Sequence, residues 1–132
     1  MTALDTNALL RYIVEDDVEQ LTAATRFIER HCTENRQGFI NRTVLCEFVW
    51  ALKKLYKYDK MTICHTVEMI LQTNQFTLEN HDEIVQALAI YHKNNVEFND
   101  ALIGMINKKF GYPKTATFDK NSAKLAEFEL LA

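Results

Sequence analysis

A chain of 132 residues, 48% hydrophobic and 25% charged, has the size and apolar content for one domain with a real core. Only 3 Gly and 1 Pro exclude collagen-like and low-complexity chains and favour helix. A formal net charge of -3 excludes a protein that grips nucleic acid by bulk positive charge. It does not exclude a nuclease, because a divalent cation held by carboxylates reverses the field where a phosphate sits.

In chain order, residues 2–5 read as a short strand ending in Asp5, and Leu9, Leu10 and Ile13 recur at helical spacing. Asp17 followed by Gln20 predicts a helix start, with Val18, Leu21, Thr25, Ile28 and Cys32 as its apolar stripe. A polar turn over Asn35–Gly38 leads into a Phe39–Ile40 strand. Val44, Phe48, Ala51, Leu52 and Leu55 predict the inner face of a strong amphipathic helix, and Ile63, Val67, Ile70 and Leu71 mark another. Phe76–Leu78 is strand-like. Asn80 with Glu83 opens a helix carrying Ile84, Leu88 and Tyr91. Phe98, Leu102, Met105 and Ile106 define a helix that stops at Gly111, with Pro113 beyond it. Thr115–Phe118 is a β-branched and aromatic strand, and Phe128–Leu131 an edge strand. Short strands separated by longer helices predict an α/β fold with a parallel sheet covered on both faces, in a single domain over residues 1–132.

Apolar residues never run on long enough to span a bilayer, and the N-terminus has no secretory pattern. Cys32, Cys46 and Cys64 are odd in number and form no CxxC pair, so three reduced thiols in a cytoplasmic protein are expected. His31, His65, His81 and His92 lack zinc-ligand spacing and read as surface or partly buried histidines.

Four acids carry the chemistry. Asp5 and Asp119 each follow a strand, and open parallel sheets bind ligands beyond the carboxyl ends of their strands. Taken singly, Asp5 reads equally as the N-cap of a Thr6–Ile13 helix, and Asp119 reads better as a turn or cap before Asn121 and Ser122. Glu47 borders the buried stripe of its helix and must find a cation, a donor or water there. On the residues alone, an ion pair with Arg11 or Arg42 is the stronger account. Asp100 sits at a helix start, where Asn99 competes for the capping role. Four acids at strand ends and helix starts, with no His or Cys partner, suit Mg²⁺ or Mn²⁺ rather than zinc. Carboxylates packed closely repel, so some should hold protons until a cation enters.

Four segments resemble one family. TALDTNALLRYIVEDD resembles the first strand and helix of PIN-domain proteins of the VapC toxin type. VLCEFVWALKKLY, FNDALIGMINKKFG and TATFDKNSAKL follow in the family's order and cover essentially the whole chain. The resemblance implies a three-layer α/β/α sandwich around a parallel sheet of four to five strands. It also implies an endoribonuclease, dependent on Mg²⁺ or Mn²⁺, that leaves a 5′-phosphate and a 3′-hydroxyl. By the same resemblance Asp5, Glu47, Asp100 and Asp119 are the catalytic acids. Asp5 and Asp100 then ligate the metal directly, while Glu47 and Asp119 act directly or through water. Thr6 and Asn7 match positions supporting the first acid, and Thr117 the hydroxyl residue before the last. Glu97 stands where an aspartate is common, and Asn99 where a small residue is usual. A homodimer, silenced by a small antitoxin, is implied as well.

Arg11, Lys108, Lys109, Lys114 and Lys120 flank these segments and are candidates for RNA phosphate contacts, each alone reading as a solvated cation. Trp50, Phe98 and Phe118 read as core residues rather than base-stacking ones. Competing functions are an aspartyl-phosphate phosphatase or transferase, an inactive PIN-like protein-binding module, and a structure-specific DNA nuclease. The first usually carries an Asp where Asn7 stands.

Overall fold

A computed structural model describes residues 2–14 and 18–132. The predicted helix start at Asp17 lies outside the described residues. The chain divides into two units, Met1–Glu79 and Asn80–Ala132.

The first unit is built on three parallel strands in the order β1-β2-β3: β1 (Thr2–Ala3), β2 (Gly38–Ile40) and β3 (Phe76–Leu78). Register runs Thr2 to Gly38 and Ala3 to Phe39, then Gly38 to Phe76 and Ile40 to Leu78. Four helices belong to this unit: α1 (Thr6–Ile13), α2 (Val18–His31), α3 (Arg42–Lys54) and α4 (Lys60–Gln72). Strand β1 is shorter than the expected residues 2–5, since Asp5, though still extended, already caps α1. Strand β2 begins one residue earlier than the predicted Phe39, at Gly38, which is required there. A Cβ on Gly38 would meet the Sγ of buried Cys32 at 2.6 Å, closer than packed atoms approach.

Phe39 and Thr77 are exposed while their strand neighbours are buried, so side chains alternate along β2 and β3.

Helix α3 buries Val44, Leu45, Phe48, Val49, Ala51 and Leu52, with Asn41 as its N-cap accepting from the Val44 N–H at 2.8 Å. The helix ends at Lys54, which leaves the expected core residue Leu55 at the C-cap and 64% exposed. Trp50, also expected in the core, is 57% exposed on the outer face of α3.

The second unit holds α5 (His81–Lys93) and α6 (Phe98–Lys109), packed on each other, and a pair of parallel strands, β4 (Thr115–Thr117) and β5 (Phe128–Leu130). Asn80 occupies the N-cap position of α5 in a left-handed conformation, and its amide donates to Glu83 Oε1 at 3.2 Å. The expected capping acceptor is thus a donor. Helix α6 terminates as Gly111 and Pro113 predict. Gly111 takes φ +94°, its N–H reaches the Lys108 carbonyl, and the Tyr112 N–H reaches that of Asn107. Gly104 in α6 lets the Phe128 ring approach, since a Cβ there would sit 2.7 Å from that ring.

Six helices and parallel strands agree with the α/β class, but the expected sheet of four to five strands is not seen as one ladder. Among the described residues, pairing gives one sheet of three strands and one of two. No helix among them is long and apolar enough to cross a membrane.

Candidate functional site

In the first unit, Asp5 sits between β1 and α1 with extended backbone, and its Oδ1 accepts from the Ala8 N–H at 2.8 Å. Capping and a role at the site are compatible, because a carboxylate has several lone-pair positions and this bond uses one. Thr6, the next residue, donates its hydroxyl to Glu47 Oε1 at 2.9 Å. That bond ties the middle of α3 to the start of α1 and brings Glu47 to the residue beside Asp5. Glu47 is exposed, and the Thr6 hydroxyl is a donor of the kind its place beside the buried stripe calls for. Glu47 lies just outside the stripe that Val44 and Ala51 bound. Asn7 is exposed in the first turn of α1. A cavity of about 400 Å³ opens beside Asp5, lined otherwise by apolar residues including Leu4, Phe27 and Ile28.

In the second unit, Asp100 is the third residue of α6, half-buried. Glu97, not Asn99 or Asp100, occupies the N-cap position. Burial raises the Asp100 carboxyl above its ordinary range, and the negative charges of Asp119 and then Glu97 raise it further. Asp119 shows the opposite shift. The Ser122 hydroxyl, donating at 2.7 Å, does most to hold it below the usual carboxylate range; desolvation opposes this, and the backbone N–H groups of Asn121 and Ser122 add to the lowering. Thr117 accepts the Asp119 N–H at 2.9 Å, so the hydroxyl residue before the last acid fixes its backbone. Asp100 thus lies within electrostatic reach of both Asp119 and Glu97, and their charges add to burial in biasing it toward its proton, while hydrogen bonds bias Asp119 toward its ionised form.

Asp119 thus makes the turn into Asn121 and Ser122 that its place in the sequence predicts, and the Ser122 hydroxyl adds a third donor. Ser122 is 1% exposed, and its hydroxyl is satisfied by Asp119.

The cations fare unevenly. Arg11 donates to Tyr56 Oη at 2.9 Å and to Gln20 Oε1. Lys109 pairs with buried Glu83 at 3.4 Å, and Lys114 donates to the Ala126 carbonyl at 2.6 Å. Lys108 and Lys120 are exposed. Of the three aromatics read as core, only Phe98 is buried; Phe118 is 74% exposed.

As a donor set, these are carboxylate oxygens, which suit a hard divalent cation. In neither unit, among the described residues, do three or more His, Cys, Asp or Glu side chains gather so as to hold a metal ion. All four histidines are exposed, and burial raises all three cysteine thiols above their ordinary value, so they stay protonated near neutrality. A soft-metal site or a thiolate nucleophile therefore has no support.

Two comparisons bear on this arrangement. The sequence profile of the PIN domain matches residues 2–128. A VapC ribonuclease of Aquifex aeolicus (strain VF5) is 29% identical over 125 residues, which cover 95% of this chain and 92% of that protein.

Proposed function

Since this chain belongs to the PIN-domain family, we propose that it is an endoribonuclease dependent on Mg²⁺ or Mn²⁺, and that Asp5, Glu47, Asp100 and Asp119 are the acids on which metal binding and cleavage depend. The likeness to a VapC ribonuclease along nearly the whole chain supports ribonuclease activity. A toxin role, with a cognate antitoxin as partner, in a cytoplasmic homodimer, is part of the same proposal and rests on the segment resemblance. The span of the family match supports reading residues 1–132 as one nuclease domain.

The observation that carries the proposal is the pairing of Asp100 with Asp119. A half-buried carboxyl whose charge is opposed by two neighbouring acids gains from a bound cation, which offsets both the burial and the repulsion. A bound divalent ion would offset phosphodiester charge and acidify water at neutral pH. The chain's own groups then have distinct tasks. Asp5 and Asp100 are the direct ligands in this proposal. Ser122 and Thr117 keep Asp119 ionised and oriented, and Thr6 orients Glu47. Because Arg11, Lys109 and Lys114 have intramolecular partners, Lys108 and Lys120 are the residues proposed to meet RNA phosphates.

The test compares the wild-type protein with Asp5→Asn on a structured RNA, first with Mn²⁺ and then with chelator. Cleavage that needs both the ion and the carboxylate is expected. Cleavage that persists in chelator, or in Asp5→Asn at wild-type rate, overturns the proposal.

A further inference from the structure

Phe118 lies between the end of β4 and Asp119 as Leu4 lies between the end of β1 and Asp5, but Leu4 is buried whereas Phe118 is 74% exposed. In β4, Thr115 and Thr117 are half-buried and Ala116 is exposed, and Phe118 continues that alternation on the exposed side. The backbone that carries it is held on both flanks. The Thr117 carbonyl accepts from the Leu131 N–H at 2.8 Å, and the Thr117 hydroxyl accepts from the Asp119 N–H. Asp119 in turn accepts from Asn121 and Ser122 through its carboxylate, and its carbonyl accepts from the Ala123 N–H at 3.0 Å. A phenyl ring left in water forgoes the burial that normally stabilises it. Here it stands on a braced turn, one peptide (about 3.8 Å between Cα atoms) from Asp119.

We propose that Phe118 is a base-stacking residue, on whose ring an unpaired base of the RNA lies, so that the adjoining phosphodiester is delivered to Asp119. This rests on the ribonuclease reading and adds to it a positioning residue, one that acts only where the base beside the cleaved bond is unpaired. A base inside a duplex has both faces covered and cannot stack on a protein ring, whereas a base in a loop or single strand can. Stacking accepts any base, because every base has a π-face, so Phe118 selects for strandedness more than for sequence. The ring carries no charge. Its contribution is therefore insensitive to salt, unlike that of a lysine on a phosphate.

The experiment measures binding of a single-stranded oligoribonucleotide carrying 2-aminopurine to the Asp5→Asn protein, with and without Phe118→Ala, Phe118→Tyr or Tyr112→Ala. Tyr112, 67% exposed after α6, is the control for loss of a surface aromatic. Phe118→Ala should weaken binding by about 5- to 150-fold and abolish quenching of the fluorescent base. Phe118→Tyr should keep both, Tyr112→Ala should change neither, and the Phe118→Ala deficit should be equal at about 50 and 200 mM salt. In the otherwise wild-type enzyme, Phe118→Ala should raise KM for single-stranded RNA more than it lowers kcat. Unchanged affinity and quenching in Phe118→Ala overturn the stacking role, even if the wild type cleaves RNA with Mn²⁺. Binding through Phe118 by a protein whose wild type never cleaves RNA leaves stacking standing and removes the ribonuclease reading. Failure of both the wild type and Asp5→Asn to bind RNA removes both.

Discussion

Asp5 carries a structural bond and, in the proposed enzyme, a catalytic charge, and two substitutions divide these. Its Oδ1 accepts from the Ala8 N–H at 2.8 Å, capping a helix of only 8 residues. Asn caps a helix about as well as Asp, whereas Ala removes the acceptor and costs roughly 0.5–2 kcal/mol. The bond is solvent-exposed, so about 1 kcal/mol is the appropriate figure. With a urea dependence of about 2 kcal/mol per molar for a chain of this size, Asp5→Ala should lower the unfolding midpoint by about 0.5 M. Asp5→Asn should unfold close to wild type. Both should lose metal-dependent cleavage, because neither presents an anion. Urea titrations followed by circular dichroism, alongside cleavage assays on the same preparations, check this. Midpoints for Asp5→Ala and Asp5→Asn that coincide with wild type would refute the capping argument. Cleavage retained in Asp5→Asn would refute the charge argument.

The shifts at Asp100 and Asp119 predict opposite pH behaviour. Native Asp100 holds its proton more tightly than the unfolded chain, so it costs stability as pH rises from about 3.8 through its raised native value. Asp100→Asn should therefore be more stable than wild type at neutral pH, by a margin that closes as pH falls toward that range, as denaturation midpoints across pH will show. Native Asp119 is depressed, so its stabilisation is present above about 3.8 and is lost as pH falls through its native value. Ser122→Ala should move the Asp119 titration, followed by carboxyl carbon NMR, upward toward the ordinary value, and Asp119→Asn should move that of Asp100 downward. Lys109→Met should cost about 1 kcal/mol by removing a partner of buried Glu83 while leaving RNA affinity and its salt dependence near wild type, which melting and binding curves will check.

Periodicity made the elements legible. The stripes Val44–Phe48–Ala51–Leu52 and Phe98–Leu102–Met105 are buried as spaced, and the Gly111 stop takes a left-handed conformation. Exposure at helix ends and loops was less legible. Leu55 has the right spacing, but the helix ends before it, and Phe118 is apolar, but its turn projects it into water. Strand continuity was not legible either, because strands of two or three residues carry too little pattern to say which others they pair with. At the site, segment resemblance singled out the acids. The turn from Asp119 to Ser122 follows from spacing, whereas the bond from Thr6 to Glu47, 41 residues apart, depends on packing of α1 against α3 that no spacing rule supplies.

Calorimetric titration of Mn²⁺ into wild type and into Asp5→Asn, Glu47→Gln, Asp100→Asn and Asp119→Asn bears most directly on whether these acids serve one ion. Saturable binding to the wild type, weakened about tenfold or more by each single change, is the predicted result. No saturable binding to the wild type, or binding that ignores the changes at Asp5 and Glu47 or those at Asp100 and Asp119, would contradict it.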